Sequence, residues 1–88
     1  MTIKNDREKV HEIKEENVVL EIYKKIDERS GKIFFDYKTV REFKTESGEI
    51  IRGQFCQQRD LRNLIIAAVH AMEWISDQHR SIRFEEQG

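Results

Sequence analysis

The sequence predicts an α+β domain, an antiparallel four-stranded meander followed by one C-terminal helix (ββββα), homodimeric through that helix. Three observations predict it. Apolar residues recur at period two in several runs from Val18 to about Cys56. Two turn-forming clusters, Asp27-Glu28-Arg29-Ser30-Gly31 and Thr45-Glu46-Ser47-Gly48, divide that region at hairpin spacing. From Asp60 onward the period becomes helical, with Leu61, Leu64, Ile65, Ala68, Met72 and Ile75 three or four apart.

The elements follow in order. Residues 1–8 are polar and charged without apolar periodicity, which predicts a flexible N-terminus. Val10 and Ile13 suggest a short first strand, with a helical turn as the alternative, and Glu15-Glu16-Asn17 as the first turn. In "VVLEIYKKI" Val18, Leu20, Ile22 and Ile26 share one parity and form a buried face, while Val19, Glu21, Tyr23 and Lys25 share the other. A third strand runs from about Lys32 to Lys44, with Ile33, Phe35, Tyr37, Thr39 and Phe43 inward. Its length invites a bulge that flips parity midway. A fourth runs from Glu49 to about Cys56, where Gly53 marks a bulge or a close backbone approach.

Asp60 suits a helix N-cap, and His79 and Arg80 suit the opposite end of the dipole. The single domain spans residues 9–80, and 81–88 read as a C-terminal tail. Ile66, Val69 and Trp74 lie off the main apolar face. A helix apolar over more than half its circumference is covered on two sides, so these three are expected at a dimer interface, with a fold-back onto Ile82 and Phe84 as the alternative.

Composition narrows the function. An 88-residue chain with one cysteine cannot reinforce a small core with an intramolecular disulfide, so oligomerisation is a natural complement. A formal net charge of −1 removes the simplest electrostatic case for nucleic acid but permits a local basic face. The lone Cys56, the absence of an apolar leader and the short longest apolar run predict a cytoplasmic protein with no membrane partner.

No catalytic residues, metal site or cofactor are expected. His70 and Glu73 have the i, i+3 spacing of a helical half-site, but in reversed order and without a second such helix. The four glycines are isolated, so no loop cradles a phosphate. Cys56 lies four residues before the helix, with Arg59 between, a pattern too common to mark a nucleophile.

The parity of the strands supplies the main functional candidate. If the helix covers the Leu20/Ile22/Phe35/Tyr37 face, the other face shows Tyr23, Lys25, Phe34, Lys38, Lys44 and Arg52. Aromatics interleaved with cations suit unpaired bases that stack and phosphates that need neutralising. The expected function is therefore a non-enzymatic single-stranded DNA- or RNA-binding protein of the kind serving transcription or replication. The alternative is a dimeric protein-interaction module with an ordinary salt-bridged outer face.

Residues 18–55, "VVLEIYKKIDERSGKIFFDYKTVREFKTESGEIIRGQF", together with the helix resemble the transcriptional positive-cofactor-four family of single-stranded DNA binders in element order and charge texture. That resemblance implies pairing through the helix and strands bound on a curved sheet. The chain is also similar to a group of short uncharacterised bacterial proteins, in the aromatic of "GQF", in Arg59-Asp60-Leu61 at the helix start and in the Trp74-Ile75 pair. This second likeness supports the same fold unit and carries no activity over to the chain. Glu21, Asp36 and Glu42 on the proposed outer face depart from a purely basic surface.

Overall fold

The computed structural model describes residues 7–87, with side chains described as far as Ile82. Its elements run β1 (Glu8–Glu15), β2 (Val18–Ile26), β3 (Ile33–Lys44), β4 (Ile50–Gly53), a 3-10 turn (Gln58–Asp60) and α1 (Leu61–Gln87). The strands form one antiparallel sheet in the order β1-β2-β3-β4. This is the expected ββββα meander. The flexible N-terminus expected over 1–8 falls mostly outside the described residues; Glu8 already begins β1.

The turns form where local chemistry favours them. β1 and β2 are joined by the two residues Glu16-Asn17, and Glu16 takes a φ of 52°, unusual for a residue with a Cβ. Between β2 and β3 the Asp27 carboxylate accepts from Ser30 Oγ at 2.7 Å, and Gly31 supplies a φ of 72°. Between β3 and β4 Thr45 Oγ1 accepts from the Glu49 amide at 3.1 Å, and Gly48 takes a φ of 90°.

Register decides which face each residue occupies. β2 and β3 pair over nine consecutive positions, from Val18↔Arg41 to Ile26↔Ile33, without a shift. The parity flip expected in the third strand does not occur. The irregularity lies in β1 instead, between Lys9 and His11, where an extra residue lets Val10 and Ile13 both pack against the core. β4 is shorter than expected. It ends at Gly53 rather than Cys56, leaving Phe55 exposed in the connection to the helix.

α1 lies over β1 and β2. The core between them is Leu20, Ile22, Ala67 and Ala71, with Val10, Ile13, Phe35, Trp74 and Ile75 packed around it. The two most buried helical residues are alanines, whose small side chains bring the helix close to the bulky β2 residues. Leu61, Ile65 and Met72, expected on this face, are exposed instead.

Asp60 is not a simple N-cap. It closes the 3-10 turn, accepting from the Gln57 amide at 2.7 Å and from Arg41 Nε at 2.9 Å. This buried pair ties the helix start to β3, and the hydrogen bond from Gln57, followed by Arg41, holds the Asp60 carboxyl below its ordinary range. At the other end α1 continues to Gln87, through the segment read as a tail. Residues 81–87 contain neither proline nor glycine to stop it. No helix among the described residues is long and apolar enough to cross a membrane.

Candidate nucleic-acid interface

The face opposite α1 is set by the pairs Lys14↔Val19↔Val40, Glu12↔Glu21↔Lys38, Lys9↔Tyr23↔Asp36 and Lys25↔Phe34, continued by Glu42↔Arg52 and Lys44↔Ile50. All six residues expected to contact nucleic acid, Tyr23, Lys25, Phe34, Lys38, Lys44 and Arg52, therefore share one face. They do not share one environment.

Arg52 uses all three of its guanidinium nitrogens. Its guanidinium reaches Glu42 on β3 at 3.0 Å, Glu21 on β2 at 3.2 Å and Glu12 on β1 at 3.1 Å. In a flat sheet β4 and β1 lie about 14 Å apart, well beyond what one arginine and one glutamate span at that contact distance without curvature. The face is therefore concave, and Arg52 binds a carboxylate from each of the other three strands. Lys9 adds bonds to Glu12 at 2.9 Å and Glu21 at 2.8 Å, and Lys14 crosses over to Glu42 at 2.7 Å. Val19 and Val40, cross-strand neighbours of Lys14, are buried although this face carries no helix, as expected where long cationic stems crowd a sheet.

The electrostatics follow from these contacts. Hydrogen bonds from Lys9 hold the Glu21 and Glu12 carboxyls below the usual range against the opposing effect of burial, and Arg52 adds to both. Lys14, then Arg52, does the same for Glu42. In turn Glu21 raises Lys9, and Glu42 and Glu12 raise Arg52.

The remaining cations lie around this network. Lys25, Lys38 and Lys44 are exposed and form no salt bridge among the described residues. Phe34, directly across from Lys25, is 49% exposed. Tyr23 is partly buried, and its hydroxyl donates to Glu21 at 3.3 Å. Arg7 pairs with Asp36 and, with Tyr23 and Lys38, lines a shallow open groove. Among the described residues the strands of this face carry six cations (Lys9, Lys14, Lys25, Lys38, Lys44, Arg52) and four carboxylates (Glu12, Glu21, Asp36, Glu42), and Arg7 and Glu16 add one charge of each sign at its margins. It thus has a local surplus of two positive charges on a chain whose formal net charge is −1.

Arg7, Lys9 and Lys14 are not evident from the sequence, because Val10 and Ile13 alone do not separate a strand from a helical turn. Counting β1 as a strand paired through a two-residue turn would have placed Lys14 opposite Val19, on this face. The three residues expected at a dimer interface separate. Ile66 is 38% and Val69 49% exposed on the helix, whereas Trp74 turns inward. Its indole stacks on His11 at 4.6 Å between centroids and meets Phe35 edge-on at 5.8 Å. Trp74 thus packs with the chain's own core.

His70 lies 3.8 Å from Glu15 and 4.0 Å from Glu73, and no group of three metal-ligating side chains occurs among the described residues. Cys56 is a free thiol, partly buried before the 3-10 turn. No protein-family model, curated protein or solved structure matches this chain.

Proposed function

We propose that this protein binds single-stranded nucleic acid, without catalysis, on the sheet face opposite α1. The observation that carries the proposal is the local cation surplus beside exposed aromatic surface on a concave face. Lys25, Lys38 and Lys44 meet phosphates, and Phe34, with Tyr23 beside it, offers a stacking surface for bases. Arg52, also expected among the phosphate contacts, serves the curvature of the face, because each of its three nitrogens is bonded to one of Glu12, Glu21 and Glu42, which offset its charge. Pairing of two copies through α1 belongs to the same proposal, as does the likeness in element order to the positive-cofactor-four family.

A dimeric protein-interaction module is the competing reading, favoured by the same three carboxylates, which neutralise the centre of the face. Fluorescence anisotropy with a labelled single strand of about 20 nucleotides separates the two. Binding at low salt that weakens steeply as salt rises supports nucleic acid. No binding at low salt with tens of micromolar protein, on the order of the weakest non-specific affinities, removes it.

A further inference from the structure

α1 covers only half of the sheet. It packs on β1 and β2, and on the same side of β3 and β4 apolar residues stay exposed to either side of the buried Arg41–Asp60 pair. Tyr37, cross-strand from the core residue Ile22, is 69% exposed there, and the paired residues Phe43 and Ile51 are 38% and 41% exposed. Beside this open half-face runs a flank of the helix, rotated about 100° from the Ala67/Ala71 line. It presents Leu61, Ile65 and Met72, at 55%, 65% and 70% exposure, with the small Ala68 at its centre.

We infer that this L-shaped apolar surface is the seat of a second copy of the chain, whose helix flank packs against the first across a two-fold axis near Ala68. The inference deepens the pairing through α1 in the proposed function by naming the seat, and it is independent of nucleic-acid binding. Size is the first argument. At roughly 200 Å² for a large side chain, the six bulky residues expose on the order of 600 Å² of apolar surface. That is at the upper end of the largest patch on a typical monomer, about 300–600 Å². A standard interface buries about 800 Å² per partner, roughly 65% of it apolar in a homodimer, so about 500 Å² is needed.

Charge is the second argument. The helix stripe Leu61–Ile65–Ala68–Met72 contains no ionisable residue, so self-pairing brings no like charges together and gives no preference for a partner of opposite sign. Ala68 lets two helices approach closely, and an antiparallel crossing about it sets Leu61 of one copy near Ile75 of the other. The core supplies a third argument. Among the described residues the buried hydrophobics are Val18, Val19, Leu20, Ile22, Val40, Ala67 and Ala71, fewer than the twelve large apolar residues left exposed. Pairing places the helices inside and turns both lysine-bearing faces outward.

Light scattering and sedimentation of the full chain test this. The expected mass is twice the 10.6 kDa of one chain, with a melting temperature that rises with protein concentration. Ile65→Asp and Met72→Asp should each give a folded monomer, whereas Ile66→Asp, about 100° round the helix from Ile65 and away from the sheet, should leave the dimer intact. Should the aspartate variants unfold, a Cys56→Ser/Ala68→Cys protein supplies the decision. Oxidation should link it into a covalent dimer, and failure to link overturns the seat. A wild-type monomer at high concentration overturns the pairing and the seat together. A dimer that survives both aspartate substitutions overturns the seat alone.

Discussion

Trp74→Ala measures whether the tryptophan belongs to the chain's own core or to a partner. In the structure its indole is sandwiched between a parallel contact with His11 and an edge contact with Phe35, beside Val10 and Ile75. Truncating a fully buried tryptophan costs about 3–5 kcal/mol, and the partial exposure of Trp74 lowers that to about 2–4 kcal/mol. A domain of this length has on the order of 4–13 kcal/mol in total. The loss should appear as a fall in melting temperature of roughly 10–25 °C. Thermal unfolding followed by far-UV circular dichroism at fixed protein concentration reads it, since tryptophan fluorescence is lost with the substitution. Light scattering in parallel should show the oligomeric state unchanged. A variant that melts within a few degrees of wild type but has become monomeric would refute the packing described.

Other perturbations probe other parts of the account. Leu20→Ala, at a fully buried position, should cost about 2–5 kcal/mol in urea unfolding. Met72→Ala should leave the fold's far-UV spectrum unchanged while weakening association in sedimentation. Glu16→Gly should raise stability by about 1 kcal/mol, because it relieves a left-handed conformation in the first turn; a lower midpoint would show that the Glu16 side chain matters more than its backbone. Glu12, Glu21, Glu42 and Asp60 all have carboxyls held below their ordinary values, so their contribution to stability is complete at neutral pH. It should persist down to about pH 4.5, near the unfolded-state glutamate value, and fall away as the folded-state groups take up protons below it. A melting temperature that rises between pH 5 and 3 would contradict this.

The parts of the fold that were legible in the sequence are those where side-chain alternation is dense. β2 and β3 carry enough Val, Ile, Phe and Tyr in alternation to mark them as strands, but the length of β3 leaves its register and the face of its second half open until the unshifted pairing with β2 is seen. β1 offers only Val10 and Ile13, and its bulge breaks the alternation between them. The orientation of α1 was the least legible feature. Hydrophobic size points to Leu61, Ile65 and Met72 as the core face, but close packing on Leu20 and Ile22 selects Ala67 and Ala71. A periodicity ranked by bulk therefore turns the inward face by about 100°, although Ile75 packs inward as expected. The candidate site divides in the same manner. Parity placed the six residues on one face, but which cations are free there depends on contacts between strands that are distant in the chain. Arg52 reaching Glu12, forty residues away, belongs to that class.

The most direct measurement is the salt dependence of single-strand affinity for wild type and for a Lys25→Gln/Lys38→Gln/Lys44→Gln protein. Each phosphate contact contributes about 0.7 to the slope of log affinity against log salt for a single strand, so loss of three should reduce the slope by about 2. A wild-type protein that binds with that slope, and a variant that is folded but binds more weakly with the shallower one, is the predicted result. Equal slopes for the two proteins, or no wild-type binding at low salt, would contradict the assignment of the lysine face to nucleic acid.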